Sequence, residues 1–243
     1  LTKNQLGFLY MFMSICAFSI MDLIVKWSEH YPLGQVLFFR GFFGLVFYFF
    51  IIPKDRIKNF YYTKRVGLHF LRCLAVLIGF LGIIIITEPG FSSLNVYYIF
   101  PIIFCLGLSY VAITIRQLST TEPVWLISLN FSAAITLASF FTIPFGWIMP
   151  NPKDLILLSM VGLFGGVANL WLSQSYKFSE VSLVTPLKYL ALVFGIFFGY
   201  FIWEEVPSFK TLLGALFVII SSLIIFRREI YYKKVISSKP RND

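Results

Sequence analysis

What constrains this chain most is a succession of long, unbroken apolar runs with almost no room between them. Eight can be marked, over 6–27, 33–52, 66–87, 95–115, 124–147, 155–175, 182–203 and 209–226. Each is about 20 residues long, the length a helix needs to cross the hydrocarbon core of a bilayer. None alternates at period two in short stretches, as the strands of a membrane barrel would. In lipid a backbone must satisfy its own N–H and C=O groups, which leaves the helix as the spanning element. The connections carry turn formers or charge: Tyr31-Pro32, Pro53-Lys54-Asp55, Glu88-Pro89-Gly90, Glu122-Pro123, Pro150-Asn151-Pro152 and Val206-Pro207. Composition closes the soluble alternative. The chain is 58% hydrophobic and only 13% charged, against about a quarter charged in a soluble domain. A single soluble core stops growing near this length and has no place for so much apolar surface. The expected fold is all-α: a polytopic transmembrane bundle of about eight helices.

Charge gives the expected orientation. If loops alternate sides, one side holds Lys3, the 53–65 loop with Lys54, Arg56, Lys58, Lys64 and Arg65, then Arg116, Lys177 and the six cations of the 227–243 tail. The other side holds only Lys153 and Lys210, and Lys26, Arg40, Arg72 and Lys188 fall inside spans. Cytoplasmic loops carry the excess of Lys and Arg, so both termini are expected in the cytoplasm. The net charge of +9 is accounted for in this way without nucleic acid as a partner. The basic tail, 228–243, has the composition of a solvated or headgroup-bound end.

Cys16, Cys73 and Cys105 sit in apolar runs at spacings that match no metal or disulfide framework. The sequence begins at Leu1, which fits a fragment or an unusual start codon. Its first apolar run is too long for a signal-peptide core and has no small-residue cleavage site after it, so a retained span is expected. Two stretches look alike: Lys26 ends one run before Pro32 opens the next, and Arg116 ends another before Pro123 opens its successor. With the topology above these units run in opposite senses, the inverted-repeat plan of many secondary transporters.

Three stretches carry a family resemblance. The first is Phe18-Ser19-Ile20-Met21-Asp22-Leu23-Ile24-Val25-Lys26-Trp27 with Tyr31-Pro32 and Phe38-Phe39-Arg40. The second runs from Ile78-Gly79-Phe80-Leu81-Gly82 to Glu88-Pro89-Gly90. The third is Pro186-Leu187-Lys188-Tyr189-Leu190, Gly199, Glu205-Val206-Pro207 and Leu213-Gly214-Ala215. Together they resemble EamA-type members of the drug/metabolite transporter superfamily, the first in a bacterial branch. The resemblance implies an inner-membrane, multi-pass carrier with two five-helix repeats. Here a shortened first repeat would cover 1–90 and a second repeat 91–227. Span 66–87 reads as a fusion: Arg65–Cys73 resembles the start of the family's third helix and Leu74–Gly90 the end of its fifth. A reduced variant and an internal deletion both fit, and either removes part of the wall of the central cavity.

Ionisable residues within spans are the candidates for the site, because each costs about 2.5–3.5 kcal/mol at mid-membrane and needs a partner or a wet cavity. Lys188, beside Pro186, can hold an anionic substrate group or a coupling proton, or snorkel to the headgroups. Asp22 and Lys26 share a helix face four residues apart and can neutralise each other or relay a proton or substrate. Arg40 lies too deep to snorkel easily; it can pair with Asp22 or bind a carboxylate or phosphate. Asn169, Gln174 and Tyr189 complete the candidate substrate-binding set. Asn169 and Gln174 can bond across helices or to substrate, and Tyr189 stands next to Lys188. Gly195 and Gly199 fit a small-xxx-small helix contact, and Glu204, Glu205 and Pro207 an outer turn.

No P-loop, HExxH, GxSxG or paired-carboxylate signature is present, so no enzyme, metal or cofactor is expected. The leading expectation is a secondary carrier for a small polar organic metabolite, coupled to protons, with the lipid bilayer as its surroundings and room for a homodimer. Uptake of a vitamin- or nucleoside-like compound such as riboflavin or S-adenosylmethionine is implied only by the resemblance. The rivals are an exporter of amino acids or drugs, a non-transport assembly subunit, and a non-functional truncated carrier.

Overall fold

A computed structural model describes residues 2–52, 67 and 99–207, and beyond these the helical positions 209, 212, 215, 216, 219 and 220. The expected span 66–87 (apart from Gly67), most of 209–226, the boundary between repeats at 90, the residues His69, Arg72 and Cys73, and the 228–243 tail lie outside the described residues.

The described residues are all helix and connection. We number the helices α1 (Lys3–Trp27), α2 (Leu33–Ile51), α3 (Ile99–Leu118), α4 (Val124–Phe140), α5 (Pro152–Phe178), α6 (Val181–Val184) and α7 (Leu190–Trp203). Among the described residues four helical units are long and apolar enough to cross a membrane: α1, α2, α5 and the stretch Val181–Trp203 taken as a whole. The helix starts follow local chemistry. Thr2 and Gln5 form a reciprocal capping box on α1, and Asn151 accepts from the Asp154 N–H at the start of α5. Pro32 and Pro123 stand at the N-caps of α2 and α4, where a missing N–H matters little.

Two expected spans are corrected. The run 124–147 is helical only to Phe140. A 3-10 turn over Ile143–Phe145 follows, containing Pro144, and Gly146 takes a left-handed φ of 85°. Hydropathy does not register a proline or a reversed backbone, so the apolar run overstates the helix. The run 182–203 is interrupted: Thr185–Tyr189 is 3-10 around Pro186, between α6 and α7. Pro186 supplies no N–H to the ladder, and its ring disfavours continuous α-helix.

Small residues bring the helices together, as membrane bundles require. Helix α5 is the centre, with α1 on one flank and α2 on the other. Along α1–α5, Ser14 Oγ donates to the Ala168 carbonyl at 2.7 Å and Ser175 Oγ to the Gly7 carbonyl at 2.7 Å. Along α2–α5, the Tyr48 hydroxyl donates to the Gly166 carbonyl at 2.7 Å. At Gly162 an added Cβ would lie 2.8 Å from the Phe39 carbonyl oxygen and 3.1 Å from Phe43 Cα, so the two backbones nearly touch there. Met11, Ile15, Ile115, Ile127 and Tyr176 pack one end of the core, and Met21, Ile24, Val36, Leu158 and Val161 the other.

Helix α1 runs antiparallel to α5, and polar contacts tie the elements together at both ends of the bundle. Arg116 Nη1 donates to the carbonyls of Tyr176, Lys177 and Ser179 at 2.5, 2.8 and 3.0 Å, capping α5. Ser179 in turn reaches Asn4 at the start of α1. At the opposite end the Tyr31 hydroxyl donates to Asp154 at 2.7 Å, and His30 stands 3.5 Å from the same carboxylate. The hydrogen bond, burial and the carboxylate charge hold the Tyr31 hydroxyl above the ordinary phenol range. Buried Gln35 fastens the segment after α4 by bonding both the carbonyl and the N–H of Ile148, at 2.6 and 3.0 Å.

Candidate functional site

A cavity of about 140 Å³ opens between α1 and α7. From α1 come Ser19, Asp22, Leu23 and Lys26, one face at helical spacing; from α7 come Ala191, Gly195, Phe198, Gly199 and Trp203. Its walls are mostly apolar and aromatic, with two ionisable groups placed one turn apart. That combination is what a small-molecule site needs for orientation and selectivity.

Lys26 does not pair with Asp22. Its Nζ lies 2.6 Å from Glu205 Oε1 and 4.3 Å from the centre of the Trp203 ring. Trp27 and Trp203 also meet, with ring centres 6.1 Å apart. Asp22 has neither a hydrogen bond nor an ion pair within 4.0 Å among the described residues. The charge it feels is that of Arg40, on α2. Arg40 sits 5.9 Å from the Phe18 ring and against the Gly165 backbone, outside the cavity lining. Ser19 is buried, and its hydroxyl has no hydrogen-bond partner among the described residues.

The other candidates lie elsewhere. Lys188, in the 3-10 stretch, holds its Nζ 5.5 Å from the centre of the Tyr176 ring. Tyr189 is exposed beside it. Asn169 is buried in α5, where its backbone carbonyl accepts from Ser128 at 3.4 Å. Gln174 is half-buried further along α5. The structure therefore brings together Asp22 and Lys26, but leaves Lys188, Tyr189, Arg40, Asn169 and Gln174 outside this lining. Gly195 and Gly199, expected to pack a helix tightly, line the cavity among the described residues. Among the described residues a Cβ on Gly195 would meet nothing within 4 Å, and one on Gly199 would meet Glu205 Oε2 at 3.3 Å. Sequence reasoning also missed Glu205 as the partner of Lys26, for the two are 179 residues apart. The signal available was that Lys26 and Glu205 both stand at the ends of runs on the side expected to be external. Among the described residues no group of His, Cys, Asp or Glu is placed to hold a metal.

Comparison with known proteins decides the class. A profile of the EamA-like transporter family matches residues 93–227, more than half of the chain. The chain belongs to the EamA-like transporter family. Members of this family are transporters, not enzymes, and this one is a helical membrane protein. It is 27% identical over 171 residues to an S-adenosylmethionine uptake transporter of Rickettsia prowazekii, an alignment covering 69% of this chain and 56% of that protein. Over 159 residues it is 25% identical to a pseudopaline exporter of Pseudomonas aeruginosa, covering 63% of this chain and 55% of the exporter. An uncharacterized transporter of Helicobacter pylori is 25% identical over 160 residues, covering 63% of this chain and 54% of that protein. The chain spans about half the length of the curated relatives it matches.

Proposed function

We propose that this chain is a secondary carrier that moves a small polar organic metabolite across a bacterial inner membrane by alternating access. The observation that carries the reading is the α1–α7 cavity: ionisable side chains on a spanning helix, facing an aromatic-walled space, with contributions from opposite ends of the chain. Intramembrane charge is expensive and is kept where it has a task. The interruption at Thr185–Tyr189 adds support, since broken spans accompany substrate and coupling sites in such carriers. In this reading both termini are cytoplasmic, the α1–α2 and α3–α4 hairpins are corresponding parts of two inverted repeats, and protons drive the cycle.

Uptake is the direction we favour, of a solute class that includes S-adenosylmethionine, because a relative carries that function. Export is the second reading, favoured by the likeness to the pseudopaline exporter. The test is reconstitution of the chain in liposomes and measurement of labelled amino acids, nucleosides, riboflavin and S-adenosylmethionine, with and without a proton gradient. Gradient-sensitive flux of at least one solute is expected. No such flux for any of them would sink the carrier reading.

A further inference from the structure

The cavity is fastened at one end. Lys26, in the last turn of α1, meets Glu205, just past the end of α7, with Nζ 2.6 Å from Oε1. The backbone is shaped for this contact. Glu204 adopts a left-handed φ of 54°, the one positive φ outside glycine among the described residues. Such a conformation is uncommon for a glutamate and persists only where its surroundings hold it. The Glu205 N–H is turned back onto α7 and donates to the Gly199 carbonyl at 3.1 Å. Gly199 leaves room for the carboxylate, since a Cβ there would stand 3.3 Å from Glu205 Oε2. Lys26 and Gly199 both line the cavity, so the pair crosses it at the end where α1 and α7 both stop.

The two helices differ in how firmly they are held. Helix α1 is tied to α5 through the Ser14 and Ser175 hydrogen bonds. No residue of α7 is fully buried among the described residues. At the start of α7 the stretch Thr185–Tyr189 is 3-10 around Pro186, so the regular helical ladder is broken there. The partners of the pair are unequal too. Lys26 stands at a helix C-terminus, where the terminal carbonyls favour a cation, and it also lies on the face of Trp203. Glu205 follows a helix C-terminus, where those carbonyls disfavour an anion, and Lys26 is the one cation within 4.0 Å of it among the described residues. We infer that Lys26–Glu205 is a latch on α7: the helix pivots at Thr185–Tyr189, and parting the pair frees its far end from α1 and opens the cavity there. As a barrier to access the latch stands by itself; as a step of transport it rests on the carrier reading. Its side chains are 36% and 59% exposed, so the pair is weak enough to part repeatedly and is screened by salt. The size of the cavity agrees. About 140 Å³ is below the roughly 300–1,000 Å³ of sites that enclose a whole small molecule, so the latched form must open to admit one.

The test reads access to the cavity on the full chain in lipid nanodiscs, with Cys16, Cys73 and Cys105 replaced by serine and Gly195→Cys as the reporter. Modification rates are followed by mass spectrometry with a cationic and with an anionic methanethiosulfonate. Opening raises both rates, whereas a change of local charge alone raises one and lowers the other. Glu205→Gln is expected to raise both about two- to fivefold. Lys26→Gln, which also gives up the Trp203 contact, should raise them further, to about tenfold. The exchanged pair, Lys26→Glu with Glu205→Lys, should bring both back to within about twofold of the parent. With the native pair in place, about 1 M sodium chloride should raise both rates at Gly195→Cys. The same salt should leave unchanged those at Met149→Cys, a position 93% exposed and outside the cavity lining. This last comparison depends on no latch variant folding. Rates unmoved by either single substitution, rates that move in opposite directions with the two reagents, an exchanged pair no slower than the single variants, or no effect of salt at Gly195→Cys would overturn the latch. No transported solute enters the assay, so its failure leaves the carrier reading standing, and an absence of liposome flux leaves the latch standing.

Discussion

Gly162 is where the packing account is most exposed to refutation. An alanine there sets a Cβ 2.8 Å from the Phe39 carbonyl oxygen and 3.1 Å from Phe43 Cα, and closer still to Phe43 Cβ. Ordinary contact begins at 3.4 Å, so the two helices must part by more than the roughly 0.6 Å that the Phe39 oxygen alone demands, and no rotamer change avoids it because the obstacles are backbone and Cβ atoms. Overpacking of this kind costs about 1–3 kcal/mol. For a chain of this size that is a fall in melting temperature of about 2–12 °C. Two controls bracket it. At Gly165 the added Cβ meets the ends of flexible side chains, Met21 Sδ at 3.0 Å and Arg40 Nε at 3.2 Å, so Gly165→Ala should lose less. At Gly195 nothing lies within 4 Å of an added Cβ among the described residues, and Gly195→Ala should be neutral or stabilising by up to about 1 kcal/mol through helix propensity. Thermal unfolding of the three purified variants, followed by loss of the monodisperse size-exclusion peak, reads the order directly. If Gly162→Ala melts with the parent, or Gly195→Ala falls as far as Gly162→Ala, the close approach of α2 and α5 is not what holds this bundle.

Three further expectations follow from the same geometry and charge pattern. Arg116→Ala removes three bonds to the terminal carbonyls of α5 and should destabilise by about 1.5–3 kcal/mol, with Arg116→Lys recovering only part of it in the same melt, since an ammonium lacks the planar fork. Lys188→Ala should abolish flux in liposomes while inserting in membranes at the parental level; normal flux would remove Lys188 from the mechanism. Cysteines placed in the Arg227–Asp243 tail should resist impermeant maleimide added outside intact cells and react once the cells are opened; labelling from outside would reverse the orientation.

The long helices are legible in the sequence because hydropathy and turn formers act locally. Pro32, Pro123 and Asn151 mark helix starts that the structure places within a few residues of the apolar runs. The end of α4 is not legible from hydropathy, since Phe141–Met149 is as apolar as a helix while Pro144 and Gly146 turn the backbone aside. The interruption in Val181–Trp203 has its cause in plain view at Pro186, although the run of apolar residues conceals it. For the site, periodicity correctly puts Asp22 and Lys26 on one face of α1 and says nothing about what stands opposite. The answer comes from α7 and the turn after it, through a left-handed Glu204 that no local pattern announces. Arg116 reads in sequence as a basic helix end. Only the fold shows that the helix it caps is α5.

The central claim, that a solute passes through the space between α1 and α7, is tested most directly at Gly195. Among the described residues a Cβ there meets nothing within 4 Å, and Gly195 lines the cavity. In a background with Cys16, Cys73 and Cys105 replaced by serine, Gly195→Cys should transport in liposomes. A charged methanethiosulfonate should then block that flux, and the transported solute should slow the modification. Modification that leaves flux intact, at a rate the solute does not change, would contradict the account.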